Sequence, residues 1–278
     1  MTTIPRERID VLLVELGYFE SREKAKAALM AGLVLVNEEP VDKSGMKVPR
    51  DAKIKVRGAL HPYVSRGGLK LEKAVRTFGI AMDGKVMLDI GASTGGFTDC
   101  ALQNGASYVY AIDVGYNQLD WSLRQHEQVH VMERTNFRYM QPSDLTGPQP
   151  TFASIDVSFI SLKLILPTLS TLIGKDAGIV ALIKPQFEAG RDKVGKSGVV
   201  RDSAVHLEVL ERILQFAAEA GYELQDVTFS PITGGEGNIE FLAYWLWKDT
   251  PNTSYPDSSS LLELVKQARG TFSVEKGK

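Results

Sequence analysis

A small α+β unit over residues 1–57, followed by an open α/β domain over residues 63–248, is the architecture this 278-residue chain predicts. Three observations carry it. From residue 64 to residue 247, short apolar runs alternate with segments of helical period, the pattern of strands joined by right-handed crossovers into a mostly parallel sheet covered on both faces. Residues 6–57 keep a different rhythm, two helical segments and then short alternating stretches. Between residues 88 and 97 the chain leaves an apolar run, turns on glycine and enters a helical segment.

In the first unit, residues 9–16 are apolar-periodic and stop at Gly17-Tyr18; Ser21 is placed to cap a second, Ala-rich helix over 21–30, which Gly32 ends. Residues 33–37 and 52–56 read as short strands around a turn-rich 38–45. Residues 58–62 have no periodicity and contain Gly58 and Pro62, which suits a linker; His61, before a proline, is a linker residue rather than a catalytic one.

The second unit opens with a helix over 69–78, striped by Leu71, Ala74, Val75 and Phe78. Strands follow at 86–90, 108–112, 129–132, 151–157, 178–183, 224–229 and 239–247, with helices at 95–103, 118–125, 162–173 and 203–220. Seven strands are thus expected. The last two have no helix between them, so the last strand should run antiparallel. A Gly-rich and charged loop fills 188–202, and Trp245 and Trp247, two apart, should share a face of the sheet. Residues 249–260 read as a polar linker, 261–268 as a short amphipathic helix, and the last ten residues as frayed.

Composition narrows the function classes. With 44% hydrophobic and 24% charged residues and no apolar run near the roughly 18 residues of a membrane span, the chain reads as soluble and globular, without a membrane role. The N-terminus carries charges inside its apolar stretch and lacks a signal-peptide cleavage site. The single cysteine, Cys100, cannot form an internal disulfide, so a cytoplasmic location is the simplest expectation. Residues 1–60 hold eleven Lys/Arg against nine Asp/Glu, a net +2 in a chain of net −2. That bias alone does not establish nucleic-acid binding. The four histidines show no metal-ligand spacing.

The turn Leu88-Asp89-Ile90-Gly91-Ala92-Ser93-Thr94-Gly95-Gly96-Phe97 is spaced Gly-x-x-x-Gly-Gly. It matches neither the dinucleotide fingerprint nor a phosphate-binding loop with its Lys-Ser/Thr, which disfavours a pyrophosphate ligand. Asp113, at the end of the next strand, falls about 20 residues on, where an acidic side chain grips ribose hydroxyls. Turn and carboxylate together point to an adenosyl ligand.

Ser65-Arg66-Gly67-Gly68-Leu69-Lys70-Leu71, the glycine turn, Asp113-Val114-Gly115-Tyr116, Asp156-Val157-Ser158-Phe159-Ile160-Ser161-Leu162, Lys184-Pro185-Gln186-Phe187-Glu188 and Gly234-Gly235-x-Gly237-Asn238-x-Glu240 together resemble the TlyA family. The likeness extends over residues 6–247. In the first unit it rests on Arg8-x-Asp10, Ser21-Arg22 and Gly32-Leu33-Val34-Leu35-Val36-Asn37, which resemble an S4-type RNA-binding domain. The resemblance implies a Rossmann-like class I methyltransferase domain of the FtsJ/RrmJ kind, S-adenosyl-L-methionine as cofactor, and 2′-O-methylation of cytidine in ribosomal RNA of the ribosomal subunits. It also implies a Lys-Asp-Lys-Glu tetrad of Lys70, Asp156, Lys184 and Glu240. Lys184 is then the base that deprotonates the ribose hydroxyl, Asp156 holds it, and Lys70 and Glu240 position the sugar. An amine with an ordinary pKa near about 10.4 needs burial or nearby cations to do this at neutral pH.

Candidate cofactor residues are Asp89, Gly91, Ala92, Ser93, Gly95, Gly96 and Phe97 in the turn, Asp113 and Val114 after the second strand, and Asn136 after the third. Candidate RNA contacts are Arg6, Arg8, Arg22, Lys26, Lys43 and Arg66. Each tetrad member has a plainer reading as a polar residue at a strand end or on a solvated helix face, and Cys100 reads as packing. Two other functions stay open: a catalytically silent RNA-binding or ribosome-assembly factor, and the membrane-lytic activity implied by the family's older haemolysin label. The second would need a strongly amphipathic or apolar segment, and none stands out.

Overall fold

In the computed structural model, residues 5–19, 21–30, 32–56, 61–253 and 255–275 are described, with side chains through 273. The chain divides into two units, Met1–Leu60 and His61–Lys278. Residues 58–60 of the expected linker at 58–62 lie outside the described residues.

In the first unit, strand β1 (Arg6–Arg8) runs into helix α1 (Ile9–Glu15), and α2 (Arg22–Met30) follows after Gly17 in the left-handed region. The Ser21 hydroxyl accepts from the Lys24 amide at 3.3 Å, the expected cap. Ile9, Leu12 and Leu13 of α1 bury against Ala25, Ala28 and Leu29 of α2 and against β2 (Val34–Val36). Strand β3 (Glu39–Pro40) pairs antiparallel with β2 through a two-residue turn, Asn37-Glu38, in which both residues have positive φ. Strand β4 (Lys47–Pro49) pairs with β1, and β5 (Ile54–Val56) with β2. The β1–β4 pair was not evident in the sequence, since three-residue strands carry too few alternations to register.

In the second unit, α3 (Gly68–Phe78) buries Leu71 and Ala74 and ends at left-handed Gly79. The following elements are β6 (Val86–Ile90), α4 (Gly96–Gln103), β7 (Tyr108–Ile112), α5 (Trp121–Arg124), β8 (Val129–Met132), β9 (Phe152–Ile155) and α6 (Leu166–Leu172). Then come β10 (Gly178–Ile183), α7 (Pro185–Glu188), α8 (Ser203–Glu219), β11 (Tyr222–Phe229), β12 (Phe241–Trp247) and α9 (Ser258–Glu275). The seven strands form one sheet in the order β11-β12-β10-β9-β6-β7-β8. Strands β6 to β10 are parallel, and β12 lies antiparallel between β10 and β11.

Four local departures from the sequence reading have simple causes. Helix α5 is only four residues long because Glu133 takes the amides of Asn117, Gln118 and Leu119, and Asp120 caps what remains. The helix expected over 162–173 is a 3-10 turn, Leu162–Leu164, followed by α6, with Pro167 in its first turn lacking an N–H. Part of the loop expected at 188–202 is ordered as the end of α7 and a 3-10 turn, Arg191–Lys193.

The largest difference is at the C-terminus, where α9 spans 18 residues in place of a short helix and a frayed tail. Leu261, Val265, Ala268 and Phe272 form one buried stripe, with Phe272 edge-on to Phe229 at 6.2 Å. The Asp257 side chain accepts from the Ser260 amide at 2.8 Å, so residues that read as linker open the helix.

Trp245 is fully buried and Trp247 nearly so, in one cluster with Tyr222 and Phe241; each such side chain contributes on the order of 1.5–3 kcal/mol. Both are packing residues. Cys100 is buried in α4, where burial pushes its thiol up to about 12. No helix among the described residues is long and apolar enough to cross a membrane.

Candidate active site

The sheet topology brings the distant polar residues together. Parallel strands β6, β9 and β10 end side by side, with Ile90 paired to Ile155 and Ile155 to Ala181, so Asp156 and Lys184 emerge at the same carboxyl edge. Strand β12 runs the other way and its first residue, Phe241, pairs with Ile183, so Glu240 arrives at that edge from the opposite direction. Helix α3 supplies Lys70 from its first turn. Carboxyl edges of such sheets are where ligands bind.

The four side chains touch. Lys70 Nζ donates to Asp156 Oδ2 at 3.1 Å and to Glu240 Oε2 at 2.8 Å, bridging the two carboxylates. Lys184 Nζ lies 2.5 Å from Asp156 Oδ1, an ion pair bent away from hydrogen-bond geometry, and donates to Ser158 Oγ at 3.4 Å. Lys70 and Lys184 are each 7% exposed and Glu240 2%. Burial pulls the Lys70 amine down, but the Asp156 and Glu240 carboxylates outweigh it and its pKa is raised. Burial likewise pushes the Asp156 carboxyl up, and Lys70 and then Lys184 overcome that, leaving it below the usual carboxylate range.

Lys70 is therefore a clamp on two carboxylates, while Lys184 faces only one. Glu240 is further fixed by Gln186, whose amide nitrogen donates to Oε1 at 3.1 Å. Nothing singled out Ser158, Gln186 or Glu188 in advance, although all three lie inside quoted motifs. Glu188 accepts from the Ser161 hydroxyl at 2.6 Å and the Leu162 amide at 2.8 Å, tying the segment after β9 to that after β10.

A cleft of about 850 Å³ opens over this cluster, walled by the turn residues Gly91, Ala92, Ser93, Gly96 and Phe97. Gly91 has φ +87°, and a Cβ there would lie 2.5 Å from the Asp156 carbonyl oxygen; the turn and the Asp156 backbone can approach only over glycine. Gly95, with φ +99°, packs against Leu119 and Leu123.

Asp89 is fully buried under the turn. Its carboxylate accepts from Thr98 Oγ1 at 2.6 Å and Ser154 Oγ at 3.0 Å, and burial, partly offset by those bonds, pushes it up to about 6. Its side chain thus supports the turn from within instead of facing the cleft. Asp113 accepts from the Ser93 amide at 2.8 Å and the Gly115 amide at 2.7 Å, which fixes its carboxylate beside the cleft wall. Val114 is 71% exposed next to it, and Asn136, also exposed, caps the 3-10 turn Phe137–Tyr139 through the Arg138 amide at 3.2 Å.

Phe159 also lines the cleft, is 90% exposed, and holds a bulky side chain at φ +63°. Its ring lies 4.9 Å from that of Phe187. Phe159 thus presents a large apolar ring to the cleft from a strained backbone position.

The basic candidates of the first unit are less free than their sequence suggests. Asp10, fully buried, receives Arg8 at 2.9 and 3.0 Å and Arg22 at 2.8 Å, and its pKa is driven down first by the Arg8 hydrogen bond. The two guanidinium groups, about half exposed, are thereby fixed side by side. Arg6 donates to the Lys47 carbonyl at 2.6 Å; Lys26 is partly buried and Lys43 exposed. Arg66, in the second unit, is exposed at the cleft. No group of three or more His, Cys, Asp or Glu among the described residues is arranged to hold a metal ion.

Two family profiles match the chain: FtsJ-like methyltransferase over residues 63–246 and S4 domain over residues 7–54. A Bacillus subtilis protein named as a candidate rRNA methyltransferase, YqxC, is 55% identical over 276 residues, 99% of this chain and 98% of that one. The Mycobacterium tuberculosis protein named 16S/23S rRNA (cytidine-2′-O)-methyltransferase TlyA is 39% identical over 264 residues, 95% and 97% of the two chains. A solved structure from Streptococcus thermophilus, described as a candidate hemolysin, superposes with a TM-score of 0.80 at 50% identity, covering 99% of this chain and 100% of that one.

Proposed function

The chain belongs to the TlyA group of FtsJ-like methyltransferases, with an S4 domain ahead of the catalytic fold, and from that premise we propose that it methylates the ribose 2′-hydroxyl of cytidine in ribosomal RNA, using S-adenosylmethionine. The observation that carries this reading is the contact of Lys70, Asp156, Lys184 and Glu240 at the floor of one cleft.

The residues present fit the cofactor. About 850 Å³ lies within the roughly 300–1,000 Å³ of small-molecule sites. The fixed Asp113 carboxylate keeps lone pairs for the hydroxyls of an adenosyl ribose, and the turn residues 91–93, 96 and 97 form the adjoining wall. When bound, S-adenosylmethionine supplies an electrophilic methyl carbon. The protein's part is to make one sugar oxygen nucleophilic and to hold it in line, about 3 to 3.5 Å from its target.

Lys184, once it has given up its own proton to solvent, would take the proton of the 2′-hydroxyl onto Nζ as the sugar oxygen bonds to the methyl carbon and the bond from that carbon to sulfur breaks. It suits this better than Lys70, because it faces one carboxylate where Lys70 bridges two. With both amines protonated the cluster sums to zero charge, and a cationic methyl donor nearby favours release of one proton. Lys70 keeps Asp156 and Glu240 in place, Asp156 orients Lys184, and Glu240, Gln186 and Ser158 offer hydrogen bonds that position the ribose. Phe159 and Phe187 stack the base. Among the candidate RNA contacts, Arg8 and Arg22, paired through Asp10, present a fixed pair of donors suited to phosphate.

The test is incorporation of labelled methyl groups into ribosomal RNA followed by alkaline hydrolysis, which needs a free 2′-hydroxyl. Label retained in an alkali-resistant dinucleotide whose 5′ residue is cytidine supports the proposal. Label released entirely in mononucleotides would place the methyl on a base and refute it.

A further inference from the structure

Beside the main cleft lies a smaller chamber of about 370 Å³, formed by the segment between α7 and α8. The two share Gln186, Phe187, Arg191, Val194 and Gly198 as walls, so they are continuous. Their charge differs. The main cleft is lined by carboxylates as well as amines, whereas among the described residues the side chamber's charged lining is Arg191 and Lys196 alone. Both are exposed, and among the described residues neither makes an ion pair.

The intervening cation behaves otherwise. Lys193 Nζ donates to both oxygens of Glu208 at 2.6 Å, which neutralises it and pins the segment to α8. Asn238, only 3% exposed, donates to the Gly198 carbonyl at 2.9 Å and accepts from the Val200 amide at 3.1 Å. It stands two residues before Glu240, so the segment is fastened to the strand that supplies a member of the tetrad. A held backbone that leaves both cations of the chamber wall, Arg191 and Lys196, without an ion pair among the described residues, at the mouth of a ribose site, is short of negative charge.

We propose that Arg191 and Lys196 form a subsite for the RNA phosphodiester flanking the methylated ribose, an inference that rests on the RNA ribose reading above. A nucleotide whose sugar enters the cleft brings a phosphate on each side within one residue of the site. The side chamber offers that phosphate two donors and no opposing carboxylate.

The experiment uses the full chain with R191Q/K196Q, K193Q as control, and the charge-retaining R191K/K196R. Binding to a ribosomal RNA fragment is measured from about 50 to about 200 mM salt, alongside S-adenosylmethionine affinity and methyl-transfer kinetics. Each phosphate no longer neutralised removes about 0.7 from the slope of log affinity against log salt for a single strand, so R191Q/K196Q, which strips both donors from one phosphodiester, should lose about 0.7, making its fall over that range about 2.6-fold smaller. Its RNA KM should rise with kcat and cofactor affinity unchanged; K193Q, whose charge Glu208 already neutralises, should keep the parent's salt slope, and R191K/K196R should restore the slope. An unchanged slope in R191Q/K196Q overturns the proposal. So does a loss confined to S-adenosylmethionine affinity, which would assign the cations to the cofactor carboxylate. A parent chain that binds RNA with the expected slope but transfers no methyl group would instead overturn the methyltransferase reading.

Discussion

Replacing Lys70 by methionine removes the one cation that touches both buried carboxylates, at 3.1 Å from Asp156 and 2.8 Å from Glu240, and leaves the volume nearly filled. The side chains involved are 9%, 17% and 3% exposed, so water reaches the lost contacts only from the Asp156 side. Removing one partner of a buried ion pair costs about 3–5 kcal/mol. The cost should depend on pH with a definite sign. In the parent protein Asp156 has its pKa lowered, so its stabilising contribution is full above the unfolded value of 3.8 and is lost as pH falls through the folded one. Without Lys70, burial is opposed by Lys184 alone and the folded pKa moves up. The carboxylate then favours folding less as pH rises, and the deficit of the variant should grow as pH is raised from about the unfolded value of 3.8. All three tryptophans, Trp121, Trp245 and Trp247, lie in the second unit, so urea unfolding followed by tryptophan fluorescence reports on it directly. Adding Glu240→Gln should restore about 1–3 kcal/mol, because one of the stranded charges is gone. A deficit below about 1 kcal/mol, independent of pH, would show that the bridge is not a buried ion-pair network.

Gly91→Ala forces a Cβ to 2.5 Å from the Asp156 carbonyl oxygen at φ +87°; it should cost about 2–4 kcal/mol and depress methyl transfer by shifting Asp156, checked by unfolding and kinetics on the same preparation. Asp10→Asn raises the net positive charge of the first unit yet should weaken RNA binding, since Arg8 and Arg22 lose the anion that fixes them; tighter binding would show that charge, not arrangement, governs that surface. His206 is 1% exposed, neither ring nitrogen has a hydrogen-bond partner among the described residues, and burial drives its pKa down to about 4. Its lowered pKa means that stability is full above pH 6.5 and falls by about 3 kcal/mol toward pH 4; His206→Leu should flatten that part of the pH profile.

Much of this was visible in the residue pattern, and the gaps have physical causes. Strands β6, β7, β8 and β10 matched their apolar runs to the residue, because a strand buried on both faces is a continuous signal with polar ends. Helix α9 is longer than its residue pattern predicts because Ser258, Ser259 and Ser260 carry turn propensity, and tertiary burial of Phe272 extends the stripe beyond the region of obvious amphipathicity. At the site, periodicity located Asp156 and Lys184 at neighbouring strand ends. The insertion of β12 between β10 and β11, which delivers Glu240, is a matter of strand order that no local pattern encodes. Lys70 as a bridge and Asp10 as a fastener for two arginines are likewise properties of packing: each looks like an ordinary surface charge until its partners, 86 and 170 residues away for Lys70, are in place.

The central claim is that Lys184 accepts the ribose proton within a cluster held by Lys70. Single-turnover methyl transfer by Lys184→Ala, with RNA and S-adenosylmethionine both saturating, tests it most directly. Loss of a general base should slow the step by about 10²–10⁴ while both affinities stay near those of the parent chain. A rate within about threefold of the parent chain would show that the 2′-oxygen is activated by some other group.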